Sequence, residues 1–258
     1  ALVDTEYDVQ DEQLNVMGVS KGHMTLVDAP ARQNLLAQLD GYHARQTGGG
    51  SAGNTVVAFA QFGGTAFYSC RVADDALGHF YADDLHTNGV DSNLTQPHQG
   101  LATGATTGSC LVLVTPDAER TMCTYLGTTA DLDEKALNLD AIASAGVYYM
   151  EGYLAASQTG LAAAMAGRAH AVANQVPLAL TLSDVSMINF CRAGLDAMLG
   201  DGVDYLFCNE EEAQVWCGTS DLLGITQTMG TLAKTVCLTR GANGTLVIQG
   251  DQVQDVPG

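Results

Sequence analysis

A chain of 258 residues with 47% hydrophobic and 15% charged side chains can bury a full core, which excludes intrinsic disorder and suits one large α/β domain or a domain with a small appendage. Its 10 basic against 29 acidic residues give a formal charge of -19, which repels nucleic acid and anionic membrane surfaces and argues against both as partners. The cysteines (Cys70, Cys110, Cys123, Cys191, Cys208, Cys217, Cys237) are odd in number, never spaced C-x-x-C and mostly set in apolar runs, a pattern of reduced, buried thiols rather than disulfides or a zinc site. The six histidines are scattered, and only His79 and His86 could share a helix face, so they read as surface or packing residues. No apolar run approaches the roughly 18 residues needed to span a bilayer and no signal peptide is visible, so the expected location is cytoplasmic.

Residues 1–27 are strand-rich and open inside an apolar run, "ALVDTEYDV", without an initiator Met. The other end, "VQDVPG", also follows such a run, so a cut or only partly represented protein is expected. Residues 33–47, "QNLLAQLDGYHARQT", are polar and helix-like with a turn. From about residue 54 the pattern alternates between helical periodicity and short apolar stretches. Helices are expected over 54–62, 75–87, 157–174, 192–199, 209–217 and 221–232. The strands between them are "TAFYSC", "GVYYM", "VPLALTL", "VDYLFC", "KTVCLT" and "GTLVIQ". Apolar runs this continuous suit strands covered on both faces, so a doubly wound, mostly parallel α/β fold is expected. Residues 101–126 break the rhythm with two β-like arms around "TPDAER", the pattern of an antiparallel hairpin. With strands within 5–27, that hairpin reads as a small β lid beside the main sheet.

The stretch "GGGSAGN" satisfies the dinucleotide fingerprint G-x-G-x-x-G at Gly48, Gly50 and Gly53, with Asp74 about 21 residues further on. A dinucleotide loop, however, must follow a buried strand before opening its helix. The helix "NTVVAFAQF" follows correctly, but no Val/Ile-rich run leads into Gly48. Three readings stay open at this point: a Rossmann oxidoreductase binding NAD, a tight turn before a helix, or close backbone approach to a hydroxyl-rich ligand, with Asn54 offering both donor and acceptor.

The wording of "TGGGSAGNTVVAFAQFGG" followed by "RVADDALGHFYADDLHTNGVD" resembles the first signature region of the PfkB (ribokinase-like) carbohydrate kinases. "ALVDTEYDV", "ERTMCTYLGTT", "YYMEGYL", "VDYLFCNEEEA" and "VCLTRGANGTLV" occur in that family's order. The resemblance covers essentially the whole chain and is nearest in wording to the adenosine-kinase-like branch. It implies an ATP- and Mg²⁺-dependent kinase acting on a sugar or nucleoside hydroxyl. Asp4 matches the family's first-strand Asp that hydrogen-bonds sugar hydroxyls, a task that suits an acceptor-only carboxylate. Gly49, Gly50 and Asn54 match the glycine pair and Asn that contact the same sugar. Asn209 and Glu212 match N-x-x-E, tied to magnesium and phosphate. Read alone, "NEEEA" is also an N-cap with acids in the first helical turn. Thr239, Gly241 and Gly244 match T-x-G-x-x-G, where a turn lies against ATP, although a plain hairpin turn gives the same pattern. Arg240 within that turn, and Arg120 in the lid hairpin, are candidate phosphate contacts, Arg120 as a possible catalytic residue.

The resemblance also has gaps. The family's D-T-x-G-A-G-D, which carries the catalytic Asp, has no counterpart through Gly258, and the expected Asp lies beyond that residue. "SDVSM" stands where many sugar kinases show D-x-N. Phosphoryl transfer needs a base for the acceptor hydroxyl and donors for the developing charge, so a non-catalytic sugar- or nucleoside-binding protein is the alternative. Met24, Met150 and Tyr153 are candidate pocket-wall residues, and the lid is a candidate homodimer surface.

Overall fold

The computed structural model describes residues 1–94 and 101–258, and the chain divides into two compact units, Ala1–Leu132 and Asp133–Gly258. No helix among the described residues is long and apolar enough to cross a membrane.

The first unit runs β1 (Leu2–Asp8), α1 (Asp11–Met17), β2 (Met24–Leu26), α2 (Ala29–Gln38), β3 (Ala44–Gly49), α3 (Ser51–Gln61), β4 (Phe67–Tyr68), α4 (Ala76–Thr87), β5 (Asp91–Ser92), β6 (Ser109–Val114) and β7 (Arg120–Tyr125). Five of these strands form a mixed sheet in the order β2-β7-β6-β1-β3. Within it β1 is parallel to β6 and antiparallel to β3, and the hairpin read from "TPDAER" is the antiparallel β6–β7 pair. Side chains alternate between sheet faces along a strand. On β1 this buries Val3, Thr5 and Tyr7 and turns Asp4, Glu6 and Asp8 to the other face. Helices α1 and α2 cover the Tyr7 side through Leu14, Leu35 and Leu39, packed with Leu111, Leu113 and Cys123. A separate core gathers Val3, Val72, Tyr81 and Leu85, with Val56, Val57 and Ala60 of α3 against it.

The second unit runs α5 (Leu139–Ser144), β8 (Tyr148–Glu151), α6 (Gln158–Ala173), β9 (Leu178–Thr181), α7 (Val185–Leu199), β10 (Val203–Asn209), α8 (Glu210–Cys217), α9 (Leu222–Met229), β11 (Ala233–Thr239), β12 (Thr245–Gln249) and β13 (Gln252–Val256). Strands β8, β9, β10 and β11 are parallel neighbours in chain order, and β12 and β13 extend the sheet antiparallel. One face of this sheet is buried, with Met150, Leu180, Leu206, Val236 and Ile248 wholly inside the core; contrary to the expectation of strands covered on both faces, Tyr205 and Phe207 on the other face of β10 are exposed among the described residues. This is the parallel arrangement that the continuous apolar runs predict.

Several elements depart from the sequence reading. A helix, α1, interrupts the strand-rich opening; it buries only Leu14, too little to show as periodicity. Residues 33–47 contain strand β3 as well as the end of α2, because β3 is an edge strand with its first four residues exposed and needs no apolar run. Helix α7 begins at Val185, ahead of the expected 192, with non-helical backbone at Cys191 (φ -124°) that splits its periodicity. Strand β13 is exposed at every residue and left no apolar signature.

Candidate functional site

In the first unit the glycine stretch sits at the β3–α3 junction. A strand does lead into these glycines, contrary to the sequence reading, yet it is an exposed edge strand antiparallel to β1. A dinucleotide loop instead follows a buried parallel strand. Gly49 lies directly against Asp4: a Cβ on Gly49 would collide with the Asp4 carboxyl group. Its carbonyl accepts a hydrogen bond from the buried Tyr81 hydroxyl at 3.1 Å. Gly50 takes φ 82°, a left-handed conformation that favours glycine, and precedes the first turn of α3. Asn54, exposed one turn further on, donates its backbone amide to the Gly50 carbonyl at 2.9 Å.

Asp4 is half-buried, and among the described residues no hydrogen-bond donor reaches its carboxylate. Burial pushes its pKa up; the charge of Arg120 acts the other way, while Glu6 adds to the rise. Arg120 opens β7 and is exposed, its Nη2 3.9 Å from Glu6 Oε2. The strand registers pair Asp4 with Thr47 and Cys110, and Cys110 with Thr124. One sheet face therefore carries Asp4, Glu6 and Arg120 together. Of the suggested wall residues, Met150 is wholly buried core, whereas Met24 is 48% exposed and Tyr153 41% exposed.

In the second unit, Asn209 ends β10 and Thr239 ends β11, and the two are register partners on adjacent parallel strands. Ligands of open α/β sheets gather beyond such carboxyl ends. A cleft of about 330 Å³ opens there, lined by Asn209, Glu210, Glu211, Gln214, Thr239, Arg240 and Gly241. Residues 30 positions apart in sequence are thereby brought to one place. Asn209 caps α8 in a full capping box: its side chain accepts from the Glu212 amide at 2.8 Å, and the Glu212 carboxylate accepts from the Asn209 amide at 3.1 Å. The Asn209 side-chain NH₂ also donates to Glu212 at 2.8 Å. The N-cap reading of "NEEEA" is therefore met in full, and Asn209 of the capping pair also lines the cleft, whereas Glu212 is not among the lining residues. Burial pushes the Glu212 carboxyl up in pKa; its bond from the Asn209 amide acts the other way, and Asp184, Glu211 and Glu151 add to the rise.

Between β11 and β12 the chain makes a 3-10 turn over Gly241–Asn243, so the plain hairpin geometry is present as well. A Cβ on Gly241 would meet nothing within 4 Å, whereas one on Gly244 would strike the Val256 carbonyl of β13. Packing against β13 thus requires glycine at 244. Arg240 has its side chain only 14% exposed, donating to Asp255 at 2.8 Å and the Asn243 carbonyl at 3.0 Å. Its buried Nε has no hydrogen-bond partner among the described residues.

Sequence reasoning missed Glu151 and Asp184 as site neighbours. Glu151 is buried at the end of β8 and accepts from Tyr149 at 3.2 Å and Ser183 at 2.9 Å. Burial pushes the Tyr153 hydroxyl to about 12, with Asp184, Glu151 and Glu212 adding to the effect. Their signal was in the sequence, in "YYMEGYL" and "SDVSM", but only the strand order shows that these ends are neighbours.

Comparison with known proteins finds this chain similar to kinases. The family model described as pfkB family carbohydrate kinase matches residues 28–258. The adenosine kinase of Sinorhizobium meliloti is similar in structure, with a TM-score of 0.88 at 30% identity, over 100% of this chain and 77% of that one. The guanosine-inosine kinase of Escherichia coli K12 is 27% identical over 231 residues, 86% of this chain and 52% of the relative. A Solanum tuberosum fructokinase is 32% identical over 134 residues, 51% of this chain and 40% of the relative. The chain thus spans about half or less of the length of these two curated relatives.

Proposed function

The chain belongs to the pfkB family of carbohydrate kinases, and from that premise we propose that the protein transfers the γ-phosphate of ATP to a primary hydroxyl of a nucleoside or sugar. The observation that carries the nucleotide half is the gathering of Asn209, Thr239, Arg240 and Gly241 around one cleft at the ends of β10 and β11. The residues fit such a ligand in one specific respect: the orphaned, buried Nε of Arg240 is a donor suited to an anionic oxygen. For Mg²⁺ the fit is through Glu212. Each of its two oxygens accepts from Asn209, which leaves lone pairs for a water-bridged cation, and Mg²⁺ usually retains several waters. The raised proton affinity of Glu212 among other acids is the electrostatic setting a divalent cation would relieve.

MgATP, when bound, supplies the transferable phosphoryl group. Asp4 accepts hydrogen bonds from acceptor hydroxyls, which provide the donors its carboxylate lacks among the described residues. Gly49 and Gly50 allow the backbone to approach that ligand, and Asn54 offers one donor and one acceptor to it. Arg120 and Arg240 offset negative charge on the phosphates, and Gly241 leaves room for backbone contact. The D-T-x-G-A-G-D aspartate of the family is the group to which the proton-accepting step is ascribed.

An ATP-consumption screen of the full-length protein against adenosine, other nucleosides, ribose, fructose and 2-keto-3-deoxygluconate tests this reading. Turnover with at least one acceptor is expected. Saturable calorimetric binding without turnover for every acceptor would overturn the kinase reading in favour of a binding protein.

A further inference from the structure

On the sheet face that carries Asp4, two arginines compete for one carboxylate. Arg45 of β3 stands directly opposite Glu6 of β1 in the strand register, the closest cross-strand placement available. Its Nη2 hydrogen-bonds Glu6 Oε1 and reaches Asp8 Oδ1 at 3.3 Å. Arg120 approaches the other Glu6 oxygen at 3.9 Å, near enough for attraction but too long for a hydrogen bond. Asp8 and Arg120 are each register partners of Val114, so Asp8 lies in the same cross-strand row as Arg120. The two arginines are scarce charges in a chain with 10 basic and 29 acidic residues.

We propose that Arg45 and Glu6 are positioning residues for Arg120: Arg45 occupies Glu6 and Asp8, which leaves the Arg120 guanidinium loosely held and open to an anionic ligand. The proposal rests on the assignment of Arg120 to the phosphates. Without Arg45, Arg120 faces two unpaired carboxylates, and a planar guanidinium readily forms a two-point bond with one of them. Such a bond withdraws the donors an incoming phosphate needs. Glu6 then acts as a tether that limits where Arg120 can go, and Arg45 sets how tight the tether is.

The test uses full-length protein, with ATP binding read by calorimetry and KM for ATP read separately from kcat. Arg45→Gln is expected to weaken ATP binding about two- to fivefold, the scale of an exposed ion pair, and to raise KM for ATP with little change in kcat. Adding Glu6→Gln to Arg45→Gln should restore most of that affinity, because the competing carboxylate has gone. In an Arg120→Ala background, Arg45→Gln should have no further effect on ATP, an outcome a purely structural role for Arg45 would not give. The proposal is overturned if Arg45→Gln weakens ATP binding equally with and without Arg120. It is also overturned if Arg120→Ala weakens ATP binding while Arg45→Gln leaves it unchanged. Should Arg120→Ala itself leave ATP binding intact, the assignment of Arg120 falls along with the proposal. The kinase reading fails separately, through absence of turnover in the acceptor screen.

Discussion

Asp4 in the first unit and Glu212 in the second are carboxylates whose proton affinity burial has raised, and they use their oxygens in opposite ways. Glu212 is bonded by the amide and side chain of Asn209, closing the start of α8. Asp4 sits over a glycine with no donor among the described residues. A desolvated carboxylate with partners has a structural task whatever else it binds; one without them holds unused acceptor capacity, which folding alone gives no reason to keep. The contrast separates a carboxylate with a structural task beside its proposed ligand role from one with a ligand role alone, a distinction that motif matching, which marks both residues equally, does not make.

The strongest attempt to break this contrast is Asp4→Asn. If the carboxylate serves a ligand, acceptor affinity measured by calorimetry falls by about 1.5–3 kcal/mol, the scale of hydrogen bonds to a charged group. The urea unfolding midpoint should then stay the same or rise, since a desolvated charge has been removed. A marked loss of stability would show that Asp4 is structural after all. Glu212→Ala, unlike Asp4→Asn, should lower unfolding stability in the absence of ligand, by about 1–2 kcal/mol, through loss of half the capping box and an unsatisfied Asn209 amide. Tyr81→Phe tests the support beneath Gly49: losing the hydroxyl that bonds the Gly49 carbonyl should cost about 0.5–1.5 kcal/mol of stability in the same assay.

A smaller effect, and a finer one, comes from pH. The folded-state pKa of Asp4 lies above its ordinary 3.8 and that of Glu212 above 4.5. Between the unfolded and the folded pKa the native state therefore binds more protons. The contribution is present below the unfolded value and is lost as pH rises through the folded one. Saturating acceptor should abolish the Asp4 part of that slope, because bound hydroxyls lower its pKa, and leave the Glu212 part in place. The acceptor complex should also hold fewer protons than the free protein, so calorimetry in buffers of different ionisation enthalpy should register proton release on binding in the same window.

What could be read in the sequence divides along physical lines. The parallel strands of the second unit were legible from their apolar runs, as in "VPLALTL" and "VDYLFC", although among the described residues β10 is buried on one face only, with Tyr205 and Phe207 exposed on the other. Helices α3, α4 and α6 were legible within a few residues from their periodicity. Strands β3 and β13 were not, since exposed edge strands are held by backbone bonds that any side chain permits. The site residues were legible as motifs: Asn209 and Thr239 lie 30 positions apart but are register partners. Their neighbours Glu151 and Asp184 were not, because that proximity depends on the order of β8, β9 and β10 in the sheet. The glycine fingerprint matches in spacing only, since the strand before it is an exposed antiparallel edge strand, and Gly49, which lies against the Asp4 carboxylate, is not one of its three glycines.

Among the described residues strand β13 is exposed throughout and has one hydrogen-bonded neighbour, β12, so its backbone opens at less free-energy cost than that of β11, which is paired on both sides. Its Asp255 holds Arg240, and its Val256 carbonyl packs on Gly244. Amide hydrogens of 252–256 should accordingly exchange with solvent well before those of β11. Each such opening releases the Arg240 side chain while Thr239 stays fixed in the sheet. The cleft at the end of β11 therefore has one wall set by the core and another set by a local unfolding equilibrium, and a ligand that engages Arg240 would change exchange in a strand it never touches, slowing it where Arg240 stays on Asp255 and speeding it where the ligand draws the guanidinium away.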